Sequence, residues 1–286
     1  MKTSLIILTY NDGERTFELV SKIYGYRALD SIVLVDNAST DDTGDLLEKA
    51  RLLSPEKIHV ISSPENGGYA KGNNFGAVYA LKNLRPDIIF FANPDTFFPE
   101  ETVYAMTQSL CENPEYGVIA PLVNQGYNVW PVPGFFGLLE SLFLIAFNIH
   151  KREVKKRLLA SPLYLEDAGV VEGSFFAITS DAYKKVKGFD ERTFIYAEEI
   201  MLAKRLQKAG LKVGVLTGHF YDHLHSASIK KISGGSKAAV FHYFRDSFRI
   251  YNKYYLHTNA LQDLIFEAAY RLAFLERKLY DLIKRG

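Results

Sequence analysis

The chain has 286 residues, 48% of them hydrophobic and 23% charged, which is enough to bury one large core, or one core plus an appendage. Its formal net charge of +1 creates no overall field that attracts nucleic acid, so we expect no nucleic-acid partner. The single cysteine excludes an internal disulfide, and Met1 leads almost directly into an apolar strand rather than a signal peptide, so we expect a reducing, cytoplasmic setting. The longest apolar stretch, residues 135–149, contains Glu140 and falls short of the roughly 20 residues that span a bilayer, so no transmembrane helix is predicted.

Strands and helices alternate over the first 111 residues, which predicts an α/β fold with a mostly parallel sheet flanked by helices. Continuous apolar runs are typical of strands buried on both faces, and a helical pattern follows each of them. The predicted strands are Ser4–Thr9, Ser31–Val35, Ile58–Ser62 and Ile88–Ala92, and the predicted helices are about Glu14–Tyr24, Thr43–Leu53, Ala70–Leu81 and Pro99–Cys111.

The alternation is less regular after residue 111. Residues 151–157 form a basic run, which we interpret as a solvated helix face, with attachment to anionic lipid head groups as the alternative. We expect a main domain over residues 1–228 and a helical extension over residues 229–286. Further predicted strands are Gly117–Pro121, Val170–Thr179 and Lys212–Leu216, and further predicted helices are Asp181–Val186 and Glu198–Ala209.

The carboxyl-terminal segment has apolar residues at helical spacing, which predicts an amphipathic helix. Its apolar face needs burial against the main domain, in a homodimer, or on a membrane surface. The apolar positions are Leu261, Leu264, Ile265, Ala268, Leu272, Leu275, Leu279 and Leu282, and the accompanying cations are Arg271, Arg277, Lys278, Lys284 and Arg285.

Polar residues follow two of the predicted strands. Residues 36–43 (DNASTDDT) come after the second strand, and Asn93-Pro94-Asp95 follows the fourth. Because ligands bind past the carboxyl ends of the strands in open α/β sheets, we expect one ligand site at this edge.

Six motifs in order identify a family: Thr9-Tyr10-Asn11, residues 35–41 (VDNASTD), residues 66–74 (NGGYAKGNN), Asn93-Pro94-Asp95, residues 188–191 (GFDE) and residues 196–199 (YAEE). The chain resembles the inverting family 2 glycosyltransferases of the GT-A fold. The Asn-Pro-Asp motif and the late segment Arg245–Tyr251 make it most similar to rhamnosyltransferase-type members. The resemblance covers about residues 3–255 and implies a catalytic domain over residues 1–228, with a nucleotide-sugar half over 1–121 and an acceptor half over 122–228.

Two loops offer groups to a nucleotide sugar. The Asp36 carboxylate can accept the N3 hydrogen of uracil or thymine, while Thr9 and Asn11 line the same base pocket; a turn of Asx residues is the alternative. In the second loop, glycines allow a ligand to approach the backbone, and a cation and amides face a pyrophosphate or base, with helix capping as the alternative. The residues of this second loop are Asn66, Gly67, Gly68, Lys71, Asn73 and Asn74.

The Asn93-Pro94-Asp95 motif predicts a divalent-cation site for Mg²⁺ or Mn²⁺. Asn93 supplies only a neutral oxygen, so Asp95 is the anionic ligand, and the cation would neutralise charge on the leaving nucleoside diphosphate. The family places a histidine after the last strand, and His223 matches that position better than His219 or His225. A zinc site built from the three histidines is a weaker alternative because neither a cysteine nor a separate ligand pair accompanies them.

Inversion at an anomeric carbon requires a base that removes the proton of the acceptor hydroxyl. Glu198 and Glu199 stand where the family has its Glu-Asp pair, and we predict Glu199 as the base, with Glu198 next; two acidic residues that stabilise a helix start are the alternative. The resemblance implies that Gly173 and Ser174 line the acceptor or sugar pocket. Trp130 could stack on a sugar ring, or belong to ordinary packing.

The resemblance implies transfer of L-rhamnose from dTDP-rhamnose to a hydroxyl of a lipid-linked cell-surface polysaccharide, by a peripheral protein at the inner face of the cell membrane. A UDP-glucose or UDP-galactose transferase of the same fold is one alternative, and a catalytically silent scaffold that binds nucleotide sugar is another. A Rossmann dehydrogenase is disfavoured because residues 9–13 lack the Gly-x-Gly-x-x-Gly pattern.

Overall fold

The structure is a computed structural model that describes residues 1–224, 238 and 240–283. The strands within these residues are β1 (Thr3–Thr9), β2 (Ser31–Asp36), β3 (Ile58–Ser62), β4 (Ile88–Ala92), β5 (Thr96–Phe97), β6 (Tyr116–Val123), β7 (Val129–Trp130), β8 (Leu165–Ala168), β9 (Val170–Val171), β10 (Phe175–Thr179) and β11 (Lys212–His223).

The helices in the same described ranges are α1 (Gly13–Ile23), α2 (Thr43–Arg51), α3 (Gly68–Tyr79), α4 (Glu100–Glu112), α5 (Phe135–Leu142), α6 (Leu144–Leu159), α7 (Ser180–Val186), α8 (Glu198–Lys208), α9 (Phe241–Tyr251) and α10 (Ala260–Ile283). Helices α3 and α9 continue into short π-helical turns, Ala80–Leu84 and Asn252–Leu256 respectively.

One large sheet runs in the order β3-β2-β1-β4-β10-β6-β11-β5, and β8 pairs with β11 beside this path. Strands β3, β2, β1 and β4 are parallel, β10 is antiparallel to β4 and β6, and β11 is parallel to β6. Strands β7 and β9 form a separate antiparallel ladder. The α/β fold with a mostly parallel sheet, flanking helices and a carboxyl-terminal helical segment is confirmed.

The sheet is covered on both faces, which explains why its central strands are continuous apolar runs. Alternate residues of each strand enter different cores: Ile6 joins the core under α3, α7 and α8, whereas Leu5 and Ile7 join the core under α1, α2 and α4. All three side chains are fully buried. The two cores hold the strand ends that carry the site in fixed positions.

Several predicted strands differ from the observed ones by one or two residues at an end, and two differ more, both at the site. The predicted strand Val170–Thr179 is interrupted at residues 172–174, so that β9 and β10 belong to different sheets. The predicted strand Lys212–Leu216 continues to His223, with a register shift against β6 between Leu216 and Phe220. His219 and His223 therefore lie within β11 rather than after it, and His225 lies outside the described residues.

The basic run is only partly a solvated face of α6. Arg152 and Lys156 are exposed, whereas Lys151 is half-buried beside Trp130. The Nζ of Lys155 donates to the carbonyls of residues 123, 124 and 126 at 2.8–3.0 Å. These two lysines act inside the fold because the helix turns their face toward β6 and β7.

Helices α9 and α10 pack on the main domain, but α10 presents its leucines outward. The side of α10 that faces the protein carries Phe266, Ala273 and Arg277, and the Arg277 guanidinium lies 3.6 Å from the centre of the Phe241 ring. The residues with 42–67% exposure are Leu261, Leu264, Ile265, Leu272, Leu275, Leu279 and Leu282. The helix is therefore amphipathic as predicted, yet it is the opposite face that is buried. Lys284 and Arg285 lie outside the described residues.

Among the helices of the described ranges, none combines the length and the apolarity required to cross a bilayer.

Candidate active site

The polar segments after β2 and β4 lie at one edge of the sheet. Strand β1 lies between these two strands and is parallel to both, with Thr9 opposite Asp36 and Ile7 opposite Ala92. The backbone N–H of Asn93 donates to the carbonyl of Ser174 at 2.8 Å, so the same edge continues to the start of β10.

The loops after β1 and β2 hold each other through short polar side chains. Asp36 Oδ1 accepts a hydrogen bond from the Ser39 N–H at 2.9 Å, and the Ser39 hydroxyl accepts from the Asn11 N–H at 2.9 Å. The Thr9 hydroxyl is buried and accepts from the Thr16 hydroxyl at 2.9 Å. Asp36 and Asn11 are half-buried at this edge, whereas the Thr9 side chain serves the interior of the fold.

The second predicted loop precedes and begins α3. Asn66 Oδ1 accepts hydrogen bonds from Asn37 Nδ2 at 2.9 Å and from the Gly68 N–H at 3.1 Å. Gly68 has a φ of +81°, and a Cβ there would lie 2.0 Å from the carbonyl oxygen of Phe194, so this position requires glycine. Near Gly67 the ammonium of Lys71 pairs with Glu65.

Asn74 joins α3 to the segment Gly188–Glu191. Its Oδ1 accepts from the Tyr183 hydroxyl at 2.5 Å and from the Phe189 N–H at 2.9 Å, while its Nδ2 donates to the Phe189 carbonyl and to Glu191. Because these bonds use both polar atoms of the amide, Asn74 positions a loop in this structure.

Asp95 and His223 lie side by side because β5 pairs with the end of β11. His223 Nε2 is 3.2 Å from Asp95 Oδ1, and His223 Nδ1 is 3.9 Å from Glu172 Oε1. Burial opposes protonation of His223, but its contacts with the two carboxylates outweigh burial and raise the pKa of the imidazole to about 9. Burial also opposes ionisation of Asp95, yet the contact with His223 keeps the pKa of this carboxyl below its usual value.

Asp95 offers a carboxylate that a divalent cation could share with a substrate, and His223 would have to lose its proton to act as a second ligand. The described residues contain no group of three or more His, Cys, Asp or Glu side chains placed to hold a metal ion. One or two carboxylates nevertheless suffice for Mg²⁺-type sites, which complete their shell with phosphate oxygens and water.

A cavity of about 440 Å³ lies beside this pair. Its wall includes six of the predicted site residues, namely Asn93, Trp130, Gly173, Ser174, Glu198 and Glu199. Glu172 also lines it and extends toward His223, so the cavity adjoins the Asp95–His223 pair. Seven other predicted residues lie outside this wall, at the ends of β1 and β2, in the segments that follow β1 and β3, and in α3: Thr9, Asn11, Asp36, Asn66, Gly67, Lys71 and Asn74.

Glu198 and Glu199 begin α8 after an unusual backbone segment. Tyr196 and Ala197 both have a left-handed conformation, with φ values of +75° and +68°, and such conformations concentrate at functional sites. Burial raises the pKa of Glu199, and burial together with the Glu199 charge raises the pKa of Glu198 well above its usual value. Glu198 is 2% exposed, whereas Glu199 is half-buried, so Glu199 is the carboxylate more open to the cavity.

The break between β9 and β10 holds Glu199 in place. The Gly173 N–H donates to Glu199 Oε1 at 3.0 Å, and the Gly173 carbonyl accepts from the Tyr69 hydroxyl at 2.5 Å. The Ser174 hydroxyl is buried and lies 2.6 Å from the Tyr221 hydroxyl. Gly173 thus contributes backbone groups to the site, and the Ser174 side chain contacts β11.

Trp130 forms another part of the cavity wall. The Lys151 ammonium lies 4.2 Å from the centre of its ring, within the range of a cation–π contact. One aromatic face is therefore covered by a cation from α6 and is closed to a sugar in this structure.

The cavity wall also contains residues that were not predicted as site residues, among them Glu172, Lys151, Phe244 and Phe248. Glu172 could have been found from the sequence because it immediately precedes the predicted residues Gly173 and Ser174. Lys151 was not singled out because it belongs to the basic run of residues 151–157, which we interpret as a solvated helix face. Phe244 and Phe248 belong to the Arg245–Tyr251 segment on α9, so the predicted extension contributes to the wall.

The chain is similar to several proteins that are named as glycosyltransferases. A low-salt glycan biosynthesis hexosyltransferase of Haloferax volcanii, Agl10, is 26% identical over 248 residues, covering 86% of this chain and 74% of that protein. An N-acetylglucosaminyl-diphospho-decaprenol L-rhamnosyltransferase of Mycobacterium tuberculosis is 25% identical over 217 residues, covering 68% and 66% of the two chains.

A mannosyltransferase of Pyrobaculum calidifontis, solved with GDP-Man and Mn²⁺, superposes with a TM-score of 0.59 at 18% identity, covering 100% of this chain and 76% of that one. This likeness supports the GT-A type of fold. The family model for glycosyl transferase family 2 matches residues 4–186. With more than half of its length matched, the chain belongs to glycosyl transferase family 2.

Proposed function

We propose that this chain transfers L-rhamnose from dTDP-rhamnose, with inversion, to a hydroxyl of a lipid-linked saccharide. Glu199 would remove the proton of the acceptor hydroxyl while that oxygen attacks the anomeric carbon. The new glycosidic bond forms as the bond to the diphosphate breaks, and the proton remains on the Glu199 carboxyl.

The position of Glu199 is the observation that carries the proposal. Its carboxylate is fixed by the Gly173 N–H, faces the cavity, and shares that cavity with Asn93. Asn93 lies two residues before Asp95, at the edge that ends β4. A base on one side of the cavity and a diphosphate site on the other are what a single displacement requires.

Asp95 and His223 would hold a divalent cation, Mg²⁺ or Mn²⁺. When bound, the cation neutralises charge on the leaving diphosphate. Asp36 and Asn11 would bind the base from the neighbouring strand edge, where both are half-buried. The mannosyltransferase solved with Mn²⁺ supports a divalent cation for this fold, and the choice of this pair remains our proposal.

Rhamnose and a lipid-linked acceptor are supported by the mycobacterial relative, whose name states both for that protein. The apolar cavity wall fits an acceptor with an apolar portion, because Trp130, Val132, Phe244 and Phe248 all contribute to it. The Haloferax relative is named as a hexosyltransferase, which keeps a hexose donor as the alternative.

Donor choice is tested by calorimetry on the purified protein. We would titrate it with dTDP-rhamnose, UDP-glucose and UDP-galactose in Mn²⁺, and repeat each titration with a chelator. We expect binding of dTDP-rhamnose that weakens when the cation is removed. If only a UDP-hexose binds, that UDP-hexose replaces dTDP-rhamnose as the proposed donor. If none of the three binds, the result contradicts the proposal and favours a catalytically silent scaffold.

The base is tested by transfer from the bound donor to a short-chain N-acetylglucosaminyl diphospholipid in detergent. We expect Glu199→Gln to retain donor binding and to lose about 10²- to 10⁴-fold in kcat. Glu101→Gln is the matched control, because Glu101 is also the second residue of a helix and is exposed. Full activity of Glu199→Gln would remove this residue from the reaction.

We also propose that the protein docks on a membrane surface through the exposed leucine face of α10, defined by Leu261, Leu264, Ile265, Leu272, Leu275, Leu279 and Leu282. Arg271 and Lys278 are exposed on the same helix and favour anionic head groups. The Ile145 and Leu144 N–H groups donate to Glu276 of α10, which brings exposed Ile145 beside this face. Residues of α5 and α6 line the cavity, so docking through the nearby leucine face of α10 would bring a lipid-linked acceptor close to this cavity.

A further inference from the structure

We propose that Lys151 is a positioning residue whose ammonium, held over the ring of Trp130, places a positive charge in the cavity of Glu199 and so favours the carboxylate form of this base. This inference rests on the proposed role of Glu199 as the base. It assigns a function to one residue of a run that otherwise resembles a solvated helix face.

The fold brings Lys151 to the cavity through a short chain of elements. Lys151 lies on α6 and its Nζ is 4.2 Å from the centre of the Trp130 ring. Trp130 is on β7 and pairs with Val170 of β9, and β9 leads directly into Glu172 and Gly173. Gly173 in turn holds Glu199 by the 3.0 Å hydrogen bond. Lys151, Glu172 and Glu199 all line the same cavity.

Charge explains why a cation is needed at this position. Glu172, Glu198 and Glu199 are three acidic groups in one largely apolar cavity, and like charges in such a place favour protonation. A base must be ionised before it can accept a proton. Burial raises the pKa of Glu199, and the charge of Glu172 raises it further, whereas hydrogen bonds from backbone N–H groups, including that of Gly173, and the charge of Lys151 lower it. Burial in turn lowers the pKa of the Lys151 ammonium, and the charges of Glu172 and Glu199 oppose that effect.

Other groups around Glu199 do not supply this charge. Glu172 from the β9–β10 loop and Glu198 from α8 are acidic, and the Tyr69 hydroxyl from α3 and the Tyr196 hydroxyl before α8 remain neutral because burial raises their pKa values. His150 also lines the cavity, where it lies 3.9 Å from Glu140. The protonated imidazole of His223 contacts Glu172, at 3.9 Å, whereas the charge of Lys151 acts on Glu199 itself.

The experiment measures protonation of Glu199 directly, without any substrate. Infrared difference spectra between the wild-type protein and Glu199→Gln isolate the carboxyl C=O band of Glu199, which we would follow through a pH titration. We expect Lys151→Met to move this titration to higher pH, and Lys151→Arg, which keeps the charge, to leave it near that of the wild type. Lys156→Met is the matched control on the same helix, because Lys156 is exposed and outside the cavity.

The rate of transfer gives a second measurement. We expect kcat for Lys151→Met to fall by about tenfold at the acidic end of the profile and to recover toward the wild-type value at alkaline pH, because the base ionises again there. A merely structural role would lower the rate by the same factor at every pH. Lys151→Gln repeats the test if the methionine variant fails to fold.

An unchanged titration of the Glu199 band in Lys151→Met, or an equal shift in Lys151→Arg, would overturn the inference. Its failure is distinct from that of the proposed function. If Glu199→Gln retains transfer, the base is wrong even where the band shifts; if Glu199→Gln is inactive and the band does not shift, only the role of Lys151 is wrong.

Discussion

Gly173 lies where two side chains of the site meet, and the space around it admits no larger residue. A Cβ at this position would lie 2.7 Å from the Tyr69 hydroxyl oxygen and 2.9 Å from Glu199 Oε1. Both groups are held by hydrogen bonds to the Gly173 backbone, so neither can move without loss of a bond. The requirement for glycine is therefore steric and is directed at the proposed base.

We predict that Gly173→Ala lowers kcat by about 10²-fold, because displacement of a reacting group by about 1 Å has an effect of this size. The change also overpacks a buried site and should cost about 1–3 kcal/mol of unfolding free energy. Transfer kinetics and urea unfolding measure the two effects separately. Gly25→Ala is the control, because a Cβ there meets nothing within 4 Å. A Gly173→Ala variant with unchanged kcat would show that the position of Glu199 is not critical.

Residue types predicted which chemical groups lie at the ligand-binding edge of the sheet. They did not predict the direction in which each side chain points. Asp36 ends β2, and Asn93 and Asp95 follow β4, the two strands that flank β1, as the apolar runs before them indicated. Thr9 and Asn74, in contrast, use their polar atoms inside the fold. A threonine or asparagine beside a ligand and one that holds a turn have the same sequence signal, since both need only a short polar side chain.

Asp190 connects several elements of the acceptor half. It is 3% exposed, and its Oδ2 accepts hydrogen bonds from Arg205 Nη2 of α8 at 3.0 Å and from the Tyr255 hydroxyl after α9 at 2.6 Å. Its Oδ1 accepts from Arg192 Nε at 2.8 Å. One carboxylate therefore fastens the carboxyl-terminal segment to the loop that precedes the proposed base.

We predict that Asp190→Asn lowers the free energy of unfolding by about 2 kcal/mol, because it removes the charge of a buried carboxylate that accepts hydrogen bonds from the partly exposed guanidinium groups of Arg192 and Arg205. Asp181→Asn, which removes an exposed partner of Lys184 at 3.5 Å, should change it by less than about 0.5 kcal/mol. Burial opposes ionisation of Asp190, but Arg192, Tyr255 and Arg205 outweigh burial and hold its pKa below the usual value.

Because the pKa of Asp190 is lowered in the folded protein, the difference in unfolding free energy between the wild type and Asp190→Asn depends on pH in a definite direction. A carboxyl whose folded pKa is depressed stabilises the fold above the unfolded pKa of about 3.9, and the contribution is lost as pH falls below it. Urea unfolding at pH 7 and at pH 3 should therefore show a smaller difference at the lower pH. An equal difference at both values would mean that the charge of Asp190 is not what stabilises the fold.

Elements with strong periodicity were predictable, and the interruptions between them were not. The strands Ile58–Ser62 and Ile88–Ala92 have the predicted bounds, because continuous apolar runs end sharply at polar residues. The break at residues 172–174 lies between two apolar runs, and only the pairing of β9 with β7 and of β10 with β4 separates them. That pairing is set by contacts distant in sequence, which local patterns do not contain.

At the scale of the whole molecule, α10 shows that hydrophobic periodicity predicts a helix but not which of its faces is buried. The spacing of its leucines predicted an amphipathic helix correctly, but the aromatic and small residues Phe266, Ala273 and Phe274 face the protein instead. This face of α10 is buried because it packs on α9, where the ring centres of Phe241 and Tyr270 lie 4.8 Å apart in a stacked arrangement. The leucine face is therefore a surface about 30 Å long that the described fold does not cover.

We predict that Leu272→Glu combined with Leu279→Glu lowers binding to vesicles containing phosphatidylglycerol by at least about tenfold, because apolar burial and attraction to anionic lipid both weaken. Cosedimentation with vesicles measures the effect. The control combines Leu52→Glu with Val78→Glu, which alters side chains of similar exposure, 67% and 60%, elsewhere on the surface.

Salt and mass measurements distinguish a membrane from a second copy of the chain as the occupant of the leucine face. Binding of the wild-type protein should weaken as ionic strength rises, because Arg271 and Lys278 act on head groups through screened charges. Light scattering reports whether the protein is a dimer. A wild-type dimer that the Leu272→Glu and Leu279→Glu changes convert to a monomer, with no vesicle binding in either form, would make this face a protein interface and contradict the membrane proposal. If the wild-type protein is a monomer that binds vesicles and the variant does not bind them, the leucine face docks on the membrane. The acceptor cavity then faces the surface from which a lipid-linked saccharide must enter.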